Sequence, residues 1–220
     1  MSNDVAYYER DGKRRHYDRI TRILDYFAPP ELVAWKMRVG KREAGRISRE
    51  AMKIGSNVDE CIRSFVREEK SLPKLKTLEA KNCWEAFNQW RNDYNPGQLG
   101  EMHTVFNEEL GVAGTPDLYW PSENCIIDIK CSSAIRLSYW LQTEFYCRCY
   151  KLPVKAILRL DKNLGIYEFK KMSLSDEHWA ATVGLINAYR ILAVKDGEQK
   201  EESDERNTND STIGATDSAV

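Results

Sequence analysis

Gly114-Thr115-Pro116-Asp117, followed by Cys125-Ile126-Ile127-Asp128-Ile129-Lys130-Cys131, is the stretch on which the fold turns. Before it, apolar residues recur at helical spacing; within it they follow the shorter period of strands. Val112 to Trp120 and Cys125 to Cys131 read as strands around a Pro121-Ser122-Glu123-Asn124 turn, and Glu101 to Asn107 reads as a strand ahead of them. Successive strand side chains point to opposite faces, so Asp128 and Lys130 share one face. Ten residues separate Asp117 from Asp128, and if their strands are neighbours Asp117 joins the pair there.

Working outward, a helix is expected from about Ala134 to Tyr150, with Leu137, Leu141 and Phe145 as its apolar stripe. Val154 to Leu160 and Gly165 to Lys171 form a hairpin across Asp161-Lys162-Asn163, and a last helix runs from near Ser175 to about Val194. The first third reads as helices. Ile20, Ile23, Leu24 and Phe27 give Tyr17 to Phe27 a helical period that Pro29-Pro30 ends. Glu31 to Val39 follows, then Lys41 to Glu68, where Ile47, Ala51, Ile54, Val58, Ile62 and Phe65 recur every three or four residues and arginines and lysines fill the other positions. Leu75 to Tyr94 is a fourth helix, closed by Asn95-Pro96-Gly97. The expected architecture is α/β: a mixed sheet core flanked by helices, with a helical N-terminal layer. Residues 1–98 form that helical part, 99–195 the sheet-bearing core and 196–220 a disordered acidic tail.

The tail carries eight acidic and two basic residues and no aromatic, too little apolar surface to offset the entropy of ordering it. The remaining body has 31 basic and 26 acidic residues, about +5, which permits a polyanionic partner. The polar start, Met1 to Arg19, does not resemble an export leader, and no stretch approaches the roughly 18–20 apolar residues of a membrane span. A soluble, cytoplasmic protein with no membrane partner is expected. Its six cysteines lack Cys-x-x-Cys spacing, so buried free thiols are expected rather than an iron–sulfur cluster or disulfides.

Two carboxylates and an ammonium on one sheet face suit metal-assisted phosphodiester hydrolysis. Carboxylates hold Mg²⁺, a hard cation that prefers oxygen ligands, and the lysine orients the attacking water or stabilises the transition state. Taken alone the pattern is equally that of a turn and a solvated strand face. Gln142 and Tyr146, four apart on the following helix, lie on one face that points back toward the same place.

Together, Gly114-Thr115-Pro116-Asp117, Ile126-Ile127-Asp128-Ile129-Lys130 and Gln142-Thr143-Glu144-Phe145-Tyr146 resemble the RecB-like branch of the PD-(D/E)xK nucleases, which includes phage exonucleases and has a restriction-endonuclease-like core. Arg19-Ile20-Thr21, Leu32 to Trp35 and Gly55-x-x-x-Asp59 resemble the leading segment of such phage proteins, so the likeness spans roughly residues 17–195. It implies Asp117, Asp128 and the Ile129 carbonyl as metal ligands, Lys130 as the residue that positions water, and Gln142 and Tyr146 as supports. It also implies an upstream acid, for which Glu101 matches best and Glu108 competes. Asp59 stands where relatives often place a histidine; it is either a further ligand, shifting preference from Mn²⁺ toward Mg²⁺, or a solvated helix residue. His103 is read as incidental. The implied activity is a DNA exonuclease, leaving 5′-phosphate ends, of phage or cellular replication, recombination or repair, with a homo-oligomer left open. An endonuclease of the same fold and a catalytically silent nucleic-acid-binding module are the competing readings.

Overall fold

A computed structural model describes residues 5–10 and 13–193, with side chains from residue 15 onward. The elements are β1 (Val5–Arg10), β2 (Lys13–Arg19), α1 (Ile20–Tyr26), α2 (Pro30–Val39), α3 (Lys41–Val66), α4 (Leu78–Tyr94), β3 (Gly100–Glu101), β4 (Val105–Asn107), β5 (Val112–Gly114), β6 (Leu118–Trp120), β7 (Cys125–Lys130), α5 (Leu137–Tyr150), β8 (Val154–Leu160), β9 (Tyr167–Ser173) and α6 (176–193). Among the described residues they build two mixed sheets, ordered β1-β2-β5-β4 and β3-β6-β7-β8-β9, within the α/β arrangement expected. The proposed tail from Asp196 onward lies outside the described residues. No described helix is long and apolar enough to cross a membrane.

In the larger sheet β7 and β8 run parallel, joined by the α5 crossover, while β3, β6 and β9 are antiparallel to their neighbours. Both faces of this sheet are covered, which is why β7 reads as a nearly unbroken apolar run. Ile127, Ala156, Leu158 and Leu160 pack against α3 and α4, with Val58, Ile62, Phe87 and Trp90. Ile126 packs on the opposite side with Phe145 and Leu141 of α5, Ile20 and Ile23 of α1, and Ile186 of α6. Complete burial of one such side chain contributes about 1.5–3 kcal/mol, more than an exposed ion pair such as Arg46–Glu43 adds.

Several boundaries depart from the sequence reading. Tyr17 to Arg19 is strand, not helix, because Asp18 and Arg19 pair in parallel with Val112 and Ala113 while Tyr17 packs edge-on against Phe106 at 5.0 Å. The first helix therefore begins at Ile20, and a hairpin precedes the helical layer. Glu101 to Asn107 is two strands, and so is Val112 to Trp120; in each case one half joins each sheet. Thr115-Pro116-Asp117 makes the second crossing, since proline offers no N–H to a ladder. Helix α4 starts at Leu78 rather than Leu75: Thr77 caps it, its hydroxyl accepting from the Ala80 N–H at 3.1 Å. Helix α5 starts at Leu137 rather than Ala134, and β9 at Tyr167 rather than Gly165, because the Asp161 carboxylate accepts from the N–H groups of Asn163 and Leu164 and widens the turn.

Between α5, β8 and α6 lies an ionic cluster. Lys155, 0% exposed on β8, donates to Glu144 of α5 and contacts His178 Nδ1 of α6 at 2.6 Å. Glu144 also accepts from Arg148 Nε at 2.9 Å and from the Ser175 backbone N–H at 3.2 Å. Burial, then the neighbouring Lys155 charge, lowers the His178 pKa.

Candidate active site

The crossing from the small sheet to the large one sets Asp117 immediately before β6. The antiparallel β6–β7 register, with Leu118 opposite Ile127, brings Asp117 to the level of Asp128. Asp117 Oδ2 accepts from the Ile129 N–H at 2.7 Å, which fixes its carboxylate against β7. Lys130 Nζ lies 2.8 Å from Asp128 Oδ2 and donates to Gln142 Oε1 at 3.2 Å. Gln142 Nε2 lies 3.0 Å both from Asp128 Oδ1 and from the Tyr146 hydroxyl. Asp117, Asp128, Lys130, Gln142 and Tyr146 thus form one cluster, with α5 supplying the last two from adjacent turns of one face.

Asp128 is 0% exposed, and its Oδ2 has no hydrogen-bond donor. The group that faces this oxygen is the Lys130 ammonium, 2.8 Å away. A buried carboxylate oxygen without a donor is costly unless a cation compensates it. Burial and the Asp128 charge push the Asp117 pKa up to about 7, against the pull of Lys130. Burial also raises the pKa of Asp128. For Lys130 burial acts downward, yet the two carboxylates hold its pKa above the ordinary lysine value. The site therefore sets two buried carboxylates, both held above the usual carboxylate pKa, against one buried ammonium.

The remaining sequence candidates lie one side chain away. Asp59 and Glu101 both face Arg63 of α3: Arg63 Nε donates to Asp59 Oδ2 at 2.9 Å, Nη1 to Glu101 Oε1 at 3.4 Å, and Nη2 lies 3.6 Å from Asp117 Oδ1. Glu101 is further engaged by Arg67 Nε at 2.7 Å. Glu108 sits elsewhere, accepting from the Tyr17 hydroxyl at 2.7 Å and from Arg15 at 2.9 Å, so of the two upstream acids Glu101 is the one beside the cluster. The His103 carbonyl accepts from the Tyr150 hydroxyl at 2.6 Å. Among the described residues no group of three or more His, Cys, Asp or Glu side chains is gathered as a metal cluster. The donor set at hand is Asp117, Asp128 and neighbouring backbone. That set suits Mg²⁺, which keeps most of its waters and is held through one or two carboxylates plus substrate phosphate.

No protein-family model and no curated protein matches the chain. Among solved structures, similar chains include an alkaline exonuclease from Laribacter hongkongensis, 11% identical over 86% of this chain and 94% of that one, with a TM-score of 0.47. The same enzyme in complex with dAMP is 12% identical over 69% of this chain and 92% of that one, with a TM-score of 0.44. A phage-related exonuclease from Haemophilus somnus is 16% identical over 64% and 82% of the two chains, with a TM-score of 0.38.

Two contributors escaped the sequence reading, and a third, Gly114, was read only as part of a motif. Arg63 was one base among many on α3, although its four-residue spacing from Asp59 marks a shared face. Tyr139 holds its ring 5.1 Å from Lys130 Nζ, a cation–π contact. Gly114 leaves the space that Tyr146 fills: a Cβ there would lie 2.6 Å from the tyrosine ring.

Proposed function

We propose that this chain is a metal-dependent deoxyribonuclease of the PD-(D/E)xK type, acting as an exonuclease that leaves 5′-phosphate and 3′-hydroxyl ends. The observation that carries the reading is the cluster itself: the fully buried Asp128 carboxylate with the Lys130 ammonium 2.8 Å from its Oδ2, and Asp117 held beside it against β7. Asp117, Asp128 and the Ile129 carbonyl would hold Mg²⁺, with Mn²⁺ as a substitute. Such an ion acidifies a water and offsets charge that builds on the phosphate. Lys130, fixed by Asp128 and Gln142, would orient the attacking water and donate to a phosphate oxygen. Tyr146 would keep Gln142 in place. Asp59 and Glu101 would join the cation only on leaving Arg63 and Arg67, so their part as ligands is the less direct one.

The test is cleavage of linear and supercoiled DNA, with Mg²⁺, with Mn²⁺ and with chelator, by the wild type and by Asp128→Asn. The substitution keeps the shape and removes the charge. Metal-dependent loss of linear DNA that disappears in the variant, at an unchanged melting temperature, is the expected result. Cutting of closed circles would favour the endonuclease reading, and a fully active variant would remove the site assignment.

A further inference from the structure

A groove of about 950 Å³ opens beside Lys130, between α1, α2 and α3 on one side and the β7–α5 connection on the other. That volume lies within the range of ligand clefts, about 300–1,000 Å³. Its walls include Phe27, Leu32, Trp35 and Tyr139, and its basic side chains are Arg136 and Lys162, against one carboxylate, Glu31. The five side chains of the candidate site do not line the groove, which adjoins them through neighbouring residues. Cys131 to Ser133, which line it, continue β7 past Lys130, and the Tyr139 ring faces both the groove and the Lys130 ammonium. Helix α2 has no buried residue, so its half-buried Trp35 looks onto this space rather than into a core.

Paired DNA cannot use such a surface. A duplex presents phosphates and base edges and keeps the base faces inside its stack. An unpaired strand exposes a face on every base, and aromatic side chains flanked by cations are how proteins hold it without reading its sequence. We infer that this groove receives the unpaired nucleotides adjoining a phosphate held at Lys130. The inference rests on the nuclease reading and narrows its substrate to DNA ends that are single-stranded, or that fray, at the site.

The experiment measures binding of fluorescein-labelled oligo-dT and of a blunt duplex hairpin by anisotropy, in chelator so that nothing is cut. Trp35→Ala should raise the Kd for oligo-dT about tenfold, the equivalent of about 1.4 kcal/mol, and shift the hairpin less than about twofold. Trp35→Phe should keep most of the affinity. Arg136→Gln, at the groove and outside any core, should repeat the selectivity with a smaller loss and stands in if Trp35→Ala lowers the melting temperature. Equal weakening for both ligands, or no weakening, overturns the proposal. So does a wild type that is dimeric in solution and monomeric as Trp35→Ala with oligo-dT binding unchanged, since a second copy would then occupy the groove. The hydrolytic reading fails separately. A wild type that binds oligo-dT through Trp35 yet cuts no DNA with either metal would keep the groove and sink the nuclease. Cutting by the wild type, with oligo-dT binding indifferent to Trp35 and Arg136, would do the reverse.

Discussion

Replacing Gly114 by alanine places a methyl group where the packing leaves no room. Its Cβ would lie 2.6 Å from Cε1 and 3.0 Å from the hydroxyl oxygen of Tyr146, and 2.9 Å from Cγ2 of Ile20. Carbon contacts are comfortable at about 3.5–4.0 Å, so roughly 1 Å of movement is required. Ile20 and Tyr146 are 0% and 1% exposed, and neither can swing into solvent. The strain is one of space, because Gly114 is not among the positive-φ glycines. Overpacking of this kind costs about 1–3 kcal/mol. At about 2–4 °C per kcal/mol for a domain of this size, thermal unfolding should move down by roughly 2–12 °C. Displacing the tyrosine also loosens Gln142 and, through it, Asp128 and Lys130. Outer groups around metal sites typically matter about 10–100-fold, and turnover should fall by a factor in that range. The assay pairs thermal unfolding with cleavage of linear DNA for Gly114→Ala, for Tyr146→Leu and for the double variant. Shortening residue 146 should recover part of the lost melting temperature without restoring the rate. A Gly114→Ala protein with wild-type melting and wild-type turnover would refute the packing argument outright.

Lys130→Ala should cut turnover far more than DNA affinity, since one charge adds little to the binding of a long polyanion; equal losses in kinetics and in a binding titration would make Lys130 a DNA contact instead. Arg63→Gln removes the guanidinium that faces Asp59, Glu101 and Asp117. Calorimetry should then show Mg²⁺ binding tightened about fivefold, the equivalent of about 1 kcal/mol, and unchanged affinity would show that Arg63 does not compete with the cation. The raised Asp117 pKa sets a pH dependence. A folded-state value of about 7, above that of an unfolded carboxylate, means stability fully present in acid and lost as pH rises through about 7. Metal-free protein should therefore melt at lower temperature at about pH 8 than at about pH 5. Metal affinity should climb over the same interval, by up to about tenfold per pH unit while the proton must be displaced; flat profiles for both would contradict the burial of that carboxylate.

The parts of this arrangement that depend on period were legible in the sequence. Asp128 and Lys130 share a strand face because strand side chains alternate, and Gln142 and Tyr146 share a helix face because they are four apart. The parts that depend on which sheet a segment joins were not. The pattern through Val112 to Trp120 is apolar on both sides of Pro116, so it reads as one strand, and only the partners of β5 and β6 reveal the crossing. Asp18 and Arg19 pair with residues nearly a hundred positions away, while Tyr17 pairs with Ala6 of the preceding strand, and the helical spacing of the apolar residues that follow masks both. Arg63 looked like solvated charge because two of the carboxylates it faces, Glu101 and Asp117, come from segments distant in the chain. Lys155 interrupts an apolar strand and is matched by Glu144 only once α5 is laid across the sheet.

That match between α5 and β8 bears on transplanting the site into another scaffold. Gln142 faces the reacting groups and Glu144, two residues on, faces away from them, as about 100° of rotation per residue demands. Apolar side chains on several sides of α5 index its rotation about its own axis poorly, and on the site side only the bonds of Gln142 do so. The Lys155–Glu144 contact does so against β8, since a helix turned by one residue would strand both charges in the interior. A graft of Asp117, Asp128, Lys130, Gln142 and Tyr146 alone would copy the reagents and omit the key that sets their angle.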